Sequence, residues 1–213
     1  MFTAARSISP PHQTRNPQNA SGGTGRIERE RAMPAYFAAF LRGVNVNGNK
    51  IPMDALKTAF TGLGFSGART VLNTGNVVFA SDQPAQELKL LIENGLKSAL
   101  GYDAPIYLRG VLELEELQNA TRALAVPEGC HLYLLLCDDA MLPVELGALF
   151  AATPHGKQEQ FYPAEGNAFW IVPKGETLSS AFGGKVLGAK QYKARLTSRN
   201  WNTIEKIIGL MRQ

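Results

Sequence analysis

Nothing in this chain approaches the ~20 consecutive apolar residues of a membrane-spanning helix; its apolar runs, such as Leu132 to Cys137, have the length of strands. A spanning helix is therefore excluded. Cysteine is scarce. Cys130 and Cys137 bracket one predicted strand, and seven residues at ~3.3 Å rise hold them roughly 23 Å apart, beyond disulfide reach. That usage, with no secretion signal, fits a reducing, cytoplasmic compartment. The three histidines, His12, His131 and His155, share no metal-ligand spacing with the cysteines, so no metal site is expected. Also missing are a G-x-G-x-x-G fingerprint and a nucleophile elbow. Gly183-Gly184-Lys185 resembles the end of a phosphate loop, but Val186 stands where the magnesium-reaching Ser or Thr would be, and Ser179 occupies the upstream glycine position. A Walker A site is rejected. With no positive catalytic signature, enzyme status is left open and no cofactor is assigned.

What is present suits a folded α/β protein. Of 213 residues, 45% are hydrophobic and 19% charged, enough apolar content for one domain or two small ones. The net charge of +4 is unevenly placed. Residues 1–32 hold five Arg and two Glu, whereas residues 183–213 hold seven basic groups against Glu205 alone. The stretch between is acidic. Such asymmetry can create an anion-attracting field on one face, or can be an ordinary solvated surface.

The first 32 residues are rich in Ser, Pro, Gly, Asn and Arg and lack hydrophobic periodicity; they are expected to be a disordered tail. Translation starting at Met33 is one reading of that boundary, and Pro10-Pro11 disfavours a transit-peptide helix. From residue 35 an apolar strand leads into the polar loop Arg42–Lys50. A helix follows, with Leu56, Ala59, Phe60 and Leu63 as its stripe. Strands over 69–73 and 76–80 flank Thr74-Gly75, a two-residue hairpin signal. A long helix after Pro84 and a strand over 104–108 complete the order β-α-β-β-α-β. After an acidic helix near 112–124 the order recurs: strand 131–137, helix 143–152, strand 160–162, turn 165–167, strand 168–172, then helical pieces. The reading is α/β (α+β), two ferredoxin-like split β-α-β subdomains in tandem, with halves of about 33–110 and 111–213 and no evident sequence repeat between them.

Two segments carry the candidate chemistry. The loop Arg42–Lys50 has a binding-loop composition, with Arg42, Asn45 and Lys50 beside glycines that let backbone N–H groups face an anion; equally, Asn and Gly simply make turns. Residues 193–203, Lys-Ala-Arg-Leu-Thr-Ser-Arg-Asn-Trp-Asn-Thr, read as a donor-rich helix entrance. Thr197 or Ser198 would be the N-cap, and Arg195, Arg199 and Asn200 would stand beside the exposed N–H groups. The structural alternative is that Trp201 anchors the helix, Asn200 and Asn202 cap it, and Arg199 pairs with a carboxylate.

The string Tyr36–Lys50, YFAAFLRGVNVNGNK, with Pro52-Met53, Gly64-Phe65, Arg69-Thr70, the segment Asn73-Thr-Gly-Asn-Val-Val-Phe79 and the terminal Thr197-Ser-Arg-Asn-Trp-Asn-Thr203, resembles the domain of unknown function 1697 family. The likeness runs from about Met33 to the C-terminus. It implies a cytoplasmic bacterial protein with ferredoxin-like subdomains and carries no activity, cofactor or catalytic residue to transfer. Two departures are mild: Asn47-Gly48 stands where members usually show Gly-Gly, and Thr74-Gly75-Asn76 where they show Ser-Gly-Asn.

These readings converge on a binding protein for a small phosphate- or carboxylate-bearing ligand, held in a cleft between the halves by Arg42, Asn45, Lys50, Asn73, Asn76, Arg195, Arg199 and Asn200. The alternatives are nucleic-acid binding through the basic C-terminal segment, an enzyme acting on a phosphorylated substrate, and a structural or partner-binding role. Protein partners are not assigned.

Overall fold

The computed structural model describes residues 35–44, 51–103 and 105–213. The expected N-terminal tail, Asn45 and Lys50 lie outside the described residues.

The first half runs β1 (Ala35–Leu41), α1 (Met53–Gly62), β2 (Arg69–Thr70), β3 (Asn76–Ser81), α2 (Ala85–Leu100) and β4 (Ile106–Gly110). Its antiparallel sheet has the order β2-β3-β1-β4, the ferredoxin-like arrangement. The bridging helix α3 (Val111–Thr121) then leads to the second half: β5 (Cys130–Cys137), α4 (Leu142–Ala151), β6 (Gln160–Ala164), β7 (Asn167–Pro173), α5 (Ala181–Leu187), a single 3-10 turn over Lys190–Tyr192, and β8 (Leu196–Asn200). This sheet repeats the order as β6-β7-β5-β8. Helix α6 (Trp201–Met211) ends the chain.

Period-two alternation along the central strands decides which core each side chain joins. On β1, Ala39 and Leu41 face α1 and α2, joining Leu56, Phe60, Leu88, Ile92 and Leu96. Ala38 and Phe40 face the other way, into a core shared with Leu134, Leu136, Phe169 and Ile171 of the second sheet and with Leu114 of α3 and Trp201, Ile204 and Ile208 of α6. The second sheet's outer face packs Leu135, Trp170 and Val172 against Leu142, Leu146, Phe182 and Val186. Both faces of β1 and β5 are thus covered, which is why they read as continuous apolar runs. The shared core, which takes in the helix following the last strand of each sheet, fastens the halves together.

Two local expectations are corrected. The β2–β3 connection is five residues, Val71–Gly75, rather than the two-residue Thr74-Gly75 turn. Leu72 takes a left-handed φ of 55° there, and the Val71 N–H donates to Asn76 O at 2.9 Å, closing a wider loop. At the other end, Thr197 and Ser198 do not cap a helix; they lie in β8, opposite Leu136 and Leu135. The helix begins later because the free side of β5 needs a ladder partner. Asn200 is the N-cap, its Oδ1 accepting from the Asn202 N–H at 3.0 Å.

Candidate functional site

Each half sends one arginine from its last strand across to the other half. In the strand ladders Ala38 stands opposite Arg109 of β4, and Leu134 opposite Arg199 of β8. Likewise Phe40 stands opposite Asn76, and Leu136 opposite Asn167. Arg109 and Arg199 are therefore equivalent positions, as are Asn76 and Asn167, and the contacts are reciprocal. Arg199 Nε donates to Asn76 Oδ1 of the first half at 2.5 Å, and its Nη2 to Leu41 O at 2.5 Å and Thr74 O at 3.1 Å. Arg109 Nε donates to Asn167 Oδ1 of the second half at 2.9 Å, and its Nη2 to Cys137 O at 3.0 Å and Gly166 O at 2.9 Å. Each Nη1 returns to the carbonyl of the preceding residue, Ser198 or Leu108, at 2.8 Å. Two arginine clasps related by an internal pseudo-two-fold hold the halves together.

The asparagines are oriented for this task. Asn76 Nδ2 donates to Val71 O at 2.9 Å and Thr74 Oγ1 at 2.7 Å, which turns Oδ1 toward Arg199. Gly75 brings the hairpin tip close to β1: its φ is 71°, Leu41 N–H donates to its carbonyl at 2.8 Å, and a Cβ there would lie 2.7 Å from Val44 Cγ2. Only glycine fits such a turn at that distance.

The clasps differ in what surrounds them. Beside Arg109, Glu113 Oε1 lies 2.7 Å from Nε. That clasp borders a cleft of about 600 Å³ whose walls carry Glu113, Glu116, Asp138, Asp139 and Glu165, so the arginine is outnumbered by acids. Beside Arg199 there is no carboxylate among the described residues. The cleft there, about 660 Å³, is lined by Arg42, Lys193 and Arg199 with the hydroxyls of Thr74, Ser198 and Thr203, and among the described residues no acidic one is part of the lining. Burial pulls the Arg199 guanidinium down to about 10, with Tyr102 acting in the opposite direction; it stays charged at neutral pH. The Arg199 guanidinium carbon also stands 5.7 Å from the centroid of the Phe40 ring, a cation–π distance.

Arg42 closes one side of this cationic cleft. It reaches from the end of β1 into the second half, where Nη1 donates to Leu196 O and to Tyr192 O at 3.4 Å, and Nη2 to Leu187 O at 3.4 Å. Burial lowers its pKa as well. Its own carbonyl accepts from Tyr102 Oη at 2.6 Å.

Of the sequence-derived candidates, Arg42, Arg199 and Asn200 line one cleft and Asn76 lies buried beneath it. Asn73 sits on the exposed β2–β3 connection, outside the lining. Arg195 points elsewhere, paired with Asp139 at 3.1 Å and Glu145 at 2.9 Å. The carboxylate partner suggested for Arg199 is replaced by neutral acceptors. Arg109 and Asn167 were missed. Their signal was present: Gly-Asn opens an apolar strand at 75–76 and again at 166–167, with an arginine 33 and 32 residues after the asparagine.

A family model described as "Protein of unknown function (DUF1697)" matches residues 33–169. The chain belongs to the DUF1697 family. Among solved structures, the conserved bacterial protein SP0830 from Streptococcus pneumoniae is similar, with a TM-score of 0.67 and 23% identity over 84% of this chain and 99% of that one. At that identity the likeness speaks for the fold alone, which the two proteins share over most of their length. No curated protein matches. Among the described residues of this DUF1697 chain, no helix is long and apolar enough to cross a membrane.

Proposed function

We propose that this DUF1697 protein binds a small phosphate- or carboxylate-bearing ligand in the cationic cleft between its halves. The observation that carries the reading is the difference between the two clasps. Burying an arginine is costly unless it is paired or fully hydrogen-bonded. Arg109 has a carboxylate partner, whereas Arg199 has neutral acceptors only, which leaves its positive charge beneath a cleft whose other charged walls are Arg42 and Lys193. Fixed charges of one sign lining a cleft focus their field on it and attract the opposite sign. Lys193 is exposed and offers the direct contact, and the Ser198 hydroxyl supplies a hydrogen bond. The volume suits a small molecule.

The basic C-terminal segment lends less support to nucleic-acid binding than its composition suggests. Arg195 and Arg212 are paired with carboxylates, and Arg199 is buried. The test is a thermal-shift series on the full chain with inorganic phosphate, sulfate, nucleotides, sugar phosphates and short DNA and RNA at low and high salt. Mass action raises the melting temperature for any ligand of the folded state. The expected result is a rise with a small anion that shrinks in Lys193→Gln. No rise with any anion would contradict the proposal, and a rise confined to oligonucleotides and lost in high salt would favour nucleic-acid binding.

A further inference from the structure

We infer that Thr203 is the residue that sets the charge of this cleft and thereby its specificity for anions; the inference rests on the cleft being an anion site. Glu113 and Thr203 are equivalent. Each is the third residue of the helix that follows a clasp strand, and each stands four residues after the clasp arginine. Glu113 uses that place to reach back to Arg109 Nε at 2.7 Å and to Asn167 Nδ2 at 3.4 Å. Thr203 stands in the lining of the cationic cleft with no carboxylate to offer Arg199.

Helix stability does not account for the threonine. The third helical position favours Glu, which complements the free N–H groups and the positive end of the helix dipole, and the first turn of α6 carries no acidic residue. A glutamate at 203 would suit the helix and would pair with Arg199 as Glu113 pairs with Arg109. Its absence keeps a positive charge available to a ligand. The other clasp shows the opposite choice, in a cleft whose walls also bear Asp138, Asp139 and Glu165. One duplicated architecture thus serves once as a self-neutralised clasp and once as a charged receptor.

The test uses isothermal titration of the full chain with inorganic phosphate, comparing the wild type with Thr203→Glu and Thr203→Gln. Thr203→Glu should lose affinity by about tenfold or more, since it sets a like charge against the ligand, while Thr203→Gln, with nearly the same bulk, should stay within about threefold. The melting temperature of Thr203→Glu should equal or exceed that of the wild type, a pairing of lost binding with kept stability that a purely structural role would not give. Wild-type-like binding by Thr203→Glu, or equal losses in both variants, would overturn the inference while leaving the anion site standing. A wild type that ignores phosphate would overturn the anion reading itself, and this inference with it.

Discussion

Replacing each clasp asparagine by alanine should expose the difference between the two arginines as a difference in stability. Asn76→Ala removes the acceptor of Arg199 Nε and the two amide donations to Val71 O and Thr74 Oγ1. A hydrogen bond to a charged group contributes ~1.5–3 kcal/mol and a neutral one ~1 kcal/mol, so the loss should be about 4 kcal/mol. Among the described residues no second acceptor serves that Nε. Asn167→Ala removes the matching bond to Arg109, but Glu113 remains 2.7 Å from the same Nε. What is lost there is mainly the neutral donation to Glu165 O at 2.8 Å, with a long donation to Glu113 Oε1 at 3.4 Å and part of a shared acceptor, about 2 kcal/mol. Urea unfolding followed by circular dichroism measures both, and an unchanged slope with a shifted midpoint identifies a stability change. Asn76→Ala should be the less stable by about 2 kcal/mol. Equal losses, or a larger loss for Asn167→Ala, would refute the claim that Glu113 alone compensates its clasp.

Three further substitutions test the frame around the site. Gly183→Ala should cost about 3 kcal/mol in thermal or urea unfolding, because a Cβ there would lie 1.9 Å from Thr177 O and 2.8 Å from the Trp170 ring, whereas the adjacent Gly184→Ala, whose nearest contact would be 3.4 Å away, should gain ~0.5 kcal/mol by stiffening the unfolded chain. Tyr102, pushed up to about 12 by burial and donating to Arg42 O, contributes stability that is fully present below its ordinary value near 10 and is lost as pH rises through about 12; Tyr102→Phe should be less stable by ~1 kcal/mol at neutral pH and show a shallower alkaline decline in a pH series of unfolding midpoints.

The sequence made the fold legible where burial is continuous. β1, β3, β5 and β7 are apolar on both faces and were readable as runs, and the helices followed from their stripes and from Pro52, Pro84 and Pro143 near their starts. β8 was not. Of its five residues only Leu196 is apolar, and Thr197 and Arg199 are buried because they turn toward the other half, an environment that no local pattern announces. The β2–β3 hairpin failed for a related reason: Thr-Gly looked like a tight turn, but Gly75 is where the loop packs on Val44 and Leu41. At the site, the loop and the terminal motif drew attention to Arg42, Asn76, Arg199 and Asn200. Arg109 and Asn167 escaped because their surroundings are ordinary strand and turn, and only the repeated Gly-Asn and its distant arginine mark them. Arg195 stands outside the cleft lining because Asp139 and Glu145 reach it, a long-range pairing that a sequence does not show.

Whether the cationic cleft, and not its acidic counterpart, receives an anion is decided by a phosphate titration followed by nitrogen–proton correlation NMR. Saturable shifts are expected in the backbone signals of Leu41 to Val44 and Ser198 to Thr203, with Asp138 to Ala140 and Glu165 to Asn167 unmoved. Shifts confined to the second group, or no saturable shift in either, would contradict an anion site in the cationic cleft.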